Sequence, residues 1–288
     1  MWFITAVFSA LFFGMAGFMF KVATSFRFSR DSIFLGLYLS GGLGFSLVLT
    51  YEGAWGVNWP VIIASALVSL GSVMGNTMVM KAYRYGPASL TAPLINLNLV
   101  IIIILSVSFF GEHLTIGEVI GIILILIGAT LISFNPKEKM SIEKKIWLVY
   151  VTLGIVFIFM REGGLKITSE LGMNNHRVLA YAYLMALLYF FMVLIKSNLF
   201  KNQKAVTDLF SYKGFFLGLL TGVFSALGLT LLAIAINTGP ASIVMPIFSL
   251  RSFVIVVLSV LIYKEQLNRR QVISLALILV AVILLSPK

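Results

Sequence analysis

Apolar residues run along this chain in stretches too long for the core of a soluble domain, separated by short polar connections. A membrane-spanning helix needs about 20 mainly apolar residues. The pattern holds ten such stretches, roughly 2–22, 32–51, 60–84, 87–110, 116–134, 146–168, 177–196, 213–236, 240–263 and 269–286. Only helices and closed barrels satisfy all their backbone groups in lipid, and runs this long are helices. The pattern therefore predicts an all-α integral membrane protein with ten transmembrane helices. The polar stretch Asn135-Pro136-Lys137-Glu138-Lys139-Met140-Ser141 leaves five predicted helices on either side.

The two sides are related. Residues 86–133 align with 239–286 without a gap, with 19 identities in 48 positions, beginning Gly86-Pro87-Ala88-Ser89 and Gly239-Pro240-Ala241-Ser242. Pro93 matches Pro246, Glu112 matches Glu265 and Leu114 matches Leu267 at the constant offset of 153. Upstream the relation continues more weakly at an offset of 145, pairing Trp2 with Trp147, Lys21 with Lys166 and Tyr38 with Tyr183. The expected organisation is a first five-helix repeat over 1–135, a polar linker over 136–145 and a second five-helix repeat over 146–288. Five is odd, so a second half folded like the first enters the membrane upside down. Two inverted five-helix repeats are a transporter signature.

Local chemistry sharpens this picture. Gly86-Pro87 and Gly239-Pro240 predict tight hairpins, glycine ending one helix in a left-handed cap and proline opening the next. Pro93 and Pro246, inside the following helices, predict matched kinks. These six residues are the expected hinge and hairpin positions, the kinks serving either as hinges or as static bends. Thr115-Ile116-Gly117-Glu118 fits a capping box, and Asn268-Arg269-Arg270-Gln271 follows the same logic. Glu112 and Glu265 sit in watered connections and read as structural or capping groups. Gly36, Gly41, Gly42 and Gly44, with Gly163 and Gly164, mark close helix packing.

Composition fixes the solvent: 60% of the 288 residues are hydrophobic and 11% charged, against about 25% charged in soluble domains. The absence of cysteine excludes disulfides and thiolate metal sites. The net charge of +11 lies in the connections, which reads as membrane orientation rather than nucleic-acid binding. The apolar segment Met1–Lys21 lacks a basic start and a clear cleavage site, and reads as a retained helix.

Charges inside the spans carry the candidate site. Arg251 lies well inside the ninth span, and its repeat mate is Asn98 in the fourth; Ser249 and Asn96 stand two residues before each. An inverted repeat brings such positions together near the midplane, where transporter sites commonly lie. An arginine at that depth costs about 2.5–3.5 kcal/mol on insertion scales and needs a cavity or a partner. Arg161 and Glu162 lie in the sixth span. Adjacent residues on a helix point about 100° apart, so these two are expected on different faces, with Lys166 four residues on as a partner for Glu162. Two readings stand side by side. In one, Glu162 joins Arg251 or Lys166 in a structural ion-pair network. In the other, Arg251, Asn98, Asn96, Ser249, Glu162, Arg161 and Thr77 bind substrate, Arg251 holding an anionic group and Glu162 a cationic group or a coupling proton. Asn76 and Thr230 could add hydrogen bonds.

With the repeated Gly-Pro-Ala-Ser, the inner prolines and Gly111-Glu112-His113-Leu114-Thr115-Ile116-Gly117-Glu118 before an Ile/Leu/Gly-rich helix, the chain resembles the EamA-like branch of the drug/metabolite transporter superfamily over nearly its whole length. The resemblance implies ten helices in two inverted halves around a central cavity, and export or exchange of small metabolites. It also implies basic residues on the ninth helix that meet anionic groups in organophosphate-carrying relatives, which is where Arg251 lies.

The expected function is thus secondary transport of a small polar or anionic metabolite, an amino acid or related solute, by alternating access. The alternative is a lipid-linked-sugar flippase. No cofactor is implied, no Gly-x4-Gly-Lys-Ser/Thr motif offers ATP binding, and no convergent acid–base or metal set suggests an enzyme. The partners are a small-molecule substrate and the lipid bilayer, and a monomer suffices for a pathway. The location is the cell (inner) membrane. Sixteen Lys and Arg flank one set of alternate connections and three the other, which places both termini outside, whereas the family resemblance places both in the cytosol.

Overall fold

The computed structural model describes all residues except 27, 86–90, 92–93, 134–144, 201–210, 264–268 and 287–288. Among the described residues every regular element is helical: α1 (Trp2–Ser25), α2 (Arg30–Tyr51), α3 (Trp59–Tyr85), α4 (Leu97–Phe109), α5 (Ile116–Ser133), α6 (Ile146–Glu170), α7 (Asn175–Phe200), α8 (Tyr212–Thr238), α9 (Ala241–Phe248), α10 (Arg251–Tyr263) and α11 (Arg269–Leu285). Among the described residues seven segments are long and apolar enough to cross a membrane: α1, α2, α3, α6, α7, α8, and α9 with α10 taken together as Ala241–Ile262. Helices α4 and α5 are shorter apolar helices, and α11 spans 17 residues. The protein is a multi-pass integral membrane protein. Gly86, Pro87, Pro93, Glu265 and Asn268 lie outside the described residues.

The halves interlock rather than stand apart. Helix α2 packs on α7 and α8, α1 on α8 and α10, α3 on α6 and α7, and α5 on α11. Equivalent helices meet antiparallel. Across α2 and α7, Phe34 lies against Phe190 at 5.3 Å and Tyr38 against Tyr183 at 5.2 Å between ring centroids. Further along, Glu52 beyond the end of α2 reaches Asn174 and His176 at the start of α7. Across α5 and α11, Gly121 faces Leu285 while Gly128 faces Ile278, and Ser274 Oγ donates to the Gly128 carbonyl. The tyrosine hydroxyls are satisfied in matching ways: Tyr38 pairs with Ser72 at 3.0 Å and Tyr183 with Ser225 at 2.9 Å. Ser72 and Ser225 are repeat mates at the offset of 153.

Small residues set the helix spacing. At Gly36 an added Cβ would stand 2.3 Å from the Phe215 carbonyl oxygen, and at Gly218 it would stand 2.2 Å from that of Ile33. Each backbone lies where the other's side chain would be, so α2 and α8 touch main chain to main chain. Such contact is a main source of helix association in lipid, where apolar burial offers no advantage over the tails. Gly218→Val should therefore destabilise the detergent-purified protein by about 1–3 kcal/mol, the usual scale of overpacking. Gly117→Ala, at a helical position with open space around it, should be neutral or gain up to about 1 kcal/mol. Thermal unfolding of both variants against the parent checks the contrast.

Candidate functional site

Two interrupted helical segments build the centre. Pro246 lies inside α9 and cannot donate to the carbonyl one turn back. Regular helix stops at Phe248, and Ser249–Leu250 form a turn in which Ser249 N bonds to Met245 O and Pro246 O at 3.1 and 3.0 Å. Ser249 Oγ also bonds to Pro246 O, at 2.6 Å. Helix α10 then restarts at Arg251. The first half shows the same break: Asn96 forms a turn before α4, and Leu99 N bonds back to its carbonyl at 3.0 Å. Asn98 and Arg251, repeat mates, thus open two half-helices.

Both converge on Glu162. Its carboxylate accepts from Arg161 Nη2 at 2.8 Å and Arg251 Nη1 at 2.6 Å on one oxygen, and from Asn98 Nδ2 at 2.8 Å on the other. Arg161 Nη1 also reaches Asn76 Oδ1 at 3.3 Å. The Glu162 side chain is 0% exposed, that of Arg161 6% and that of Arg251 12%. Phe13 of α1 lies 5.4 Å from each guanidinium, and Phe248 lies 4.4 Å from that of Arg251. Two guanidiniums share one carboxylate, leaving a local charge of one positive unit. Asn98 Oδ1 and Arg161 Nε are buried there without a protein partner. The group joins both halves, since Asn76 and Asn98 come from the first and the three charged residues from the second.

Several expectations need correcting. Arg161 does meet Glu162, because the long guanidinium swings back across the angle that separates their Cβ atoms. Lys166 does not pair with Glu162; it bonds Glu112 at 2.8 Å and also Glu170. Ser249 Oγ donates within its own turn and keeps its acceptor lone pairs. Asn96 makes no side-chain capping bond, and Thr77, half-buried on α3, joins none of the described hydrogen bonds. Gly239 has φ −141° and ψ 166°, extended rather than left-handed. Glycine is required there because a Cβ would sit 2.5 Å from the Trp2 ring. Pro240 is the residue before α9 rather than its first. Phe13 was not legible among the many phenylalanines of α1.

Glu112 is a cap, but for another helix. Its carboxylate crosses from the α4–α5 connection to the start of α9, accepting from Ala241 N at 2.9 Å, Ser242 N at 2.8 Å and Ser242 Oγ. Thr115 and Glu118 form the expected box, Thr115 N bonding Glu118 Oε2 at 2.6 Å and Glu118 N bonding Thr115 Oγ1 at 3.3 Å. Burial works against the Glu112 charge, but the Lys166 ammonium and the donors of Ser242 and Ala241 outweigh it and hold the carboxyl below its ordinary range. A lowered folded-state pKa stabilises above the unfolded value, about 4.3 for Glu, and that gain is lost as pH falls through the folded value. Glu112→Gln should therefore melt below the parent near neutral pH. The gap should shrink only below about pH 4.3, as read from melting curves across pH.

A bundle of interlocked apolar helices with a buried charged centre and broken helices around it defines the protein as a polytopic membrane protein of transporter type. Residues 1–134 and 145–286 match the EamA-like transporter family, and the chain belongs to that family of membrane transporters. It is similar to a curated protein of Methanocaldococcus jannaschii described as uncharacterized, 38% identical over 74 residues, 26% of this chain and 51% of that protein. The chain thus spans about half the length of that relative. A protein of known crystal structure, 13% identical, superposes with a TM-score of 0.75 over 98% of this chain and 96% of its own, a likeness of fold.

Proposed function

We propose that this transporter moves a small polar or anionic solute, an amino acid or a related metabolite, by alternating access between two inverted five-helix halves that make ten spans in all. The observation that carries the reading is the sharing of the buried Glu162 carboxylate by Arg161 and Arg251. A surplus guanidinium in a low-dielectric centre favours an incoming anion. The solute's anionic group takes the place of Glu162 on Arg251, with Arg161 still paired to Glu162, so neither guanidinium is left bare. Asn98 Oδ1 accepts from a donor on the solute. The antiparallel packing of α2 on α7 and of α5 on α11 supports the inverted arrangement, and the paired breaks before Asn98 and Arg251 supply the flexing points.

Counterflow uptake into proteoliposomes, run across amino acids, carboxylates and organophosphates, tests the reading. Arg251→Ala should lower uptake of the transported solute about tenfold to a hundredfold, the worth of a charged hydrogen bond. Uptake at the parent rate would remove Arg251 from the site.

We infer further that the ends rich in Lys and Arg face the cytosol and both termini lie outside, from the sixteen-to-three distribution of basic residues. Because the chain has no cysteine, one introduced at Asn202 reports directly. It should resist a membrane-impermeant maleimide added to intact cells and react after permeabilisation; labelling in intact cells would reverse the orientation.

A further inference from the structure

Between the charged centre and the surface stands a second polar layer that substrate binding leaves unused. On α6, Lys166 lies about one turn beyond Glu162. Its side chain is 4% exposed and that of Glu112 is 11% exposed, with 2.8 Å between their charged atoms. Phe110 covers the ammonium at 5.3 Å. Just outside opens a polar vestibule of about 500 Å³, lined by Glu112, Lys166, Ser169, Glu170 and Asn237 together with Gly239–Pro240. The Glu112 contacts cross the halves, from the connection after α4 in the first to α6 and the start of α9 in the second. Helix α9 is eight residues long and leads, through the Ser249–Leu250 turn, to Arg251. One carboxylate therefore fastens the outer end of the segment whose inner end presents the central arginine.

We propose that the Glu112–Lys166 pair, clamped on the first turn of α9, is the latch that closes one mouth of the transport pathway, and that it must part for solute to pass between the vestibule and the central cluster. The inference rests on the alternating-access reading above. The chemistry suits a contact that opens. When Glu112 withdraws, Lys166 keeps its bond to Glu170, four residues along the same helix, so the ammonium is never left bare. Glu112 withdraws toward the vestibule, where water replaces its donors. A sealed ion pair with no second partner would be far harder to break, because parting it strands a buried charge. The contacts of Ser169 and Asn175 with Asn237 brace the adjoining ends of α6, α7 and α8 against one another, so the Glu112 connection parts from a fixed set of helix ends. Both residues of the latch recur in the sequence repeat, as Lys21 and Glu265.

The test uses the full chain in lipid nanodiscs, where both faces of the bilayer are open. Ser106 is buried on α4, two helical turns from Asn98 on the same face and one bond from the Glu112 amide. Ser106→Cys is the reporter, read by its rate of alkylation with a water-soluble maleimide. Glu112→Ala and Lys166→Met should each speed labelling about fivefold or more. Glu170→Gln, which takes away the partner that Lys166 keeps when the latch parts, should slow labelling, and Thr115→Ala, which loosens the same connection without touching the latch, should leave the rate unchanged. Equal rates in the parent and both latch variants would overturn the proposal, as would an equal rise in Thr115→Ala. Labelling needs no solute, so its outcome stands apart from the uptake measurements: unlatched labelling in a chain that carries none of the solutes tried would sink the choice of solute alone.

Discussion

A carboxylate with no contact with water has to be held by positive charge, and this requirement organises the middle of the protein. Glu162 is fully buried and draws two guanidiniums and an amide onto itself. Desolvating these groups is expensive, and their attraction offsets the expense only when the geometry is close and the remaining donors are engaged. The fold meets most of that demand with two half-helices that begin at equivalent points of the repeat and with Asn76 from α3, while Arg161 Nε and Asn98 Oδ1 stay without a protein partner. The Phe13 and Phe248 rings complete it by covering the guanidinium faces, where the negative face of an aromatic ring favours a cation. Remove the carboxylate, and the segments carrying Arg161, Arg251 and Asn98 lose their shared reason to meet.

The second constraint is the lipid. With hydrocarbon on the outside, apolar burial gives helices little reason to associate. Close main-chain approach at Gly36 and Gly218, and the hydroxyl pairs of Tyr38 with Ser72 and Tyr183 with Ser225, hold α2, α3, α7 and α8 together instead. Many large apolar side chains, such as Leu47, Phe109 and Ile283, are exposed on the outside of the bundle, as a lipid-facing surface requires.

Much of this was legible in the sequence, and the limits have physical causes. The gapless repeat announced the duplicated architecture and made Asn98 and Arg251 equivalent, which is enough to expect them near one another. The capping role of Glu112 followed from its place in a connection, but its target did not, since the start of α9 comes close only after folding. Lys166 was matched to Glu162 by helical spacing, a local rule; in the fold, Glu112 arrives from the other half and Arg161 and Arg251 already occupy Glu162. Gly239 reads as a left-handed cap until the Trp2 ring is seen to take the space its side chain would need. Ser249 and Asn96 read as polar groups at depth; that they also stand at helix breaks, where Ser249 supplies a local hydrogen bond, shows only in the fold.

The half-helices beginning near Asn98 and Arg251 are copies in position but not in charge. A molecule made of two identical units would have no basis for preferring one of two shapes related by a half-turn in the membrane plane. A cation on one copy, where its counterpart carries a neutral amide, removes that equality. The idle protein then has reason to rest in one shape, and the charge on Arg251 is the largest electrostatic difference between the two half-helices.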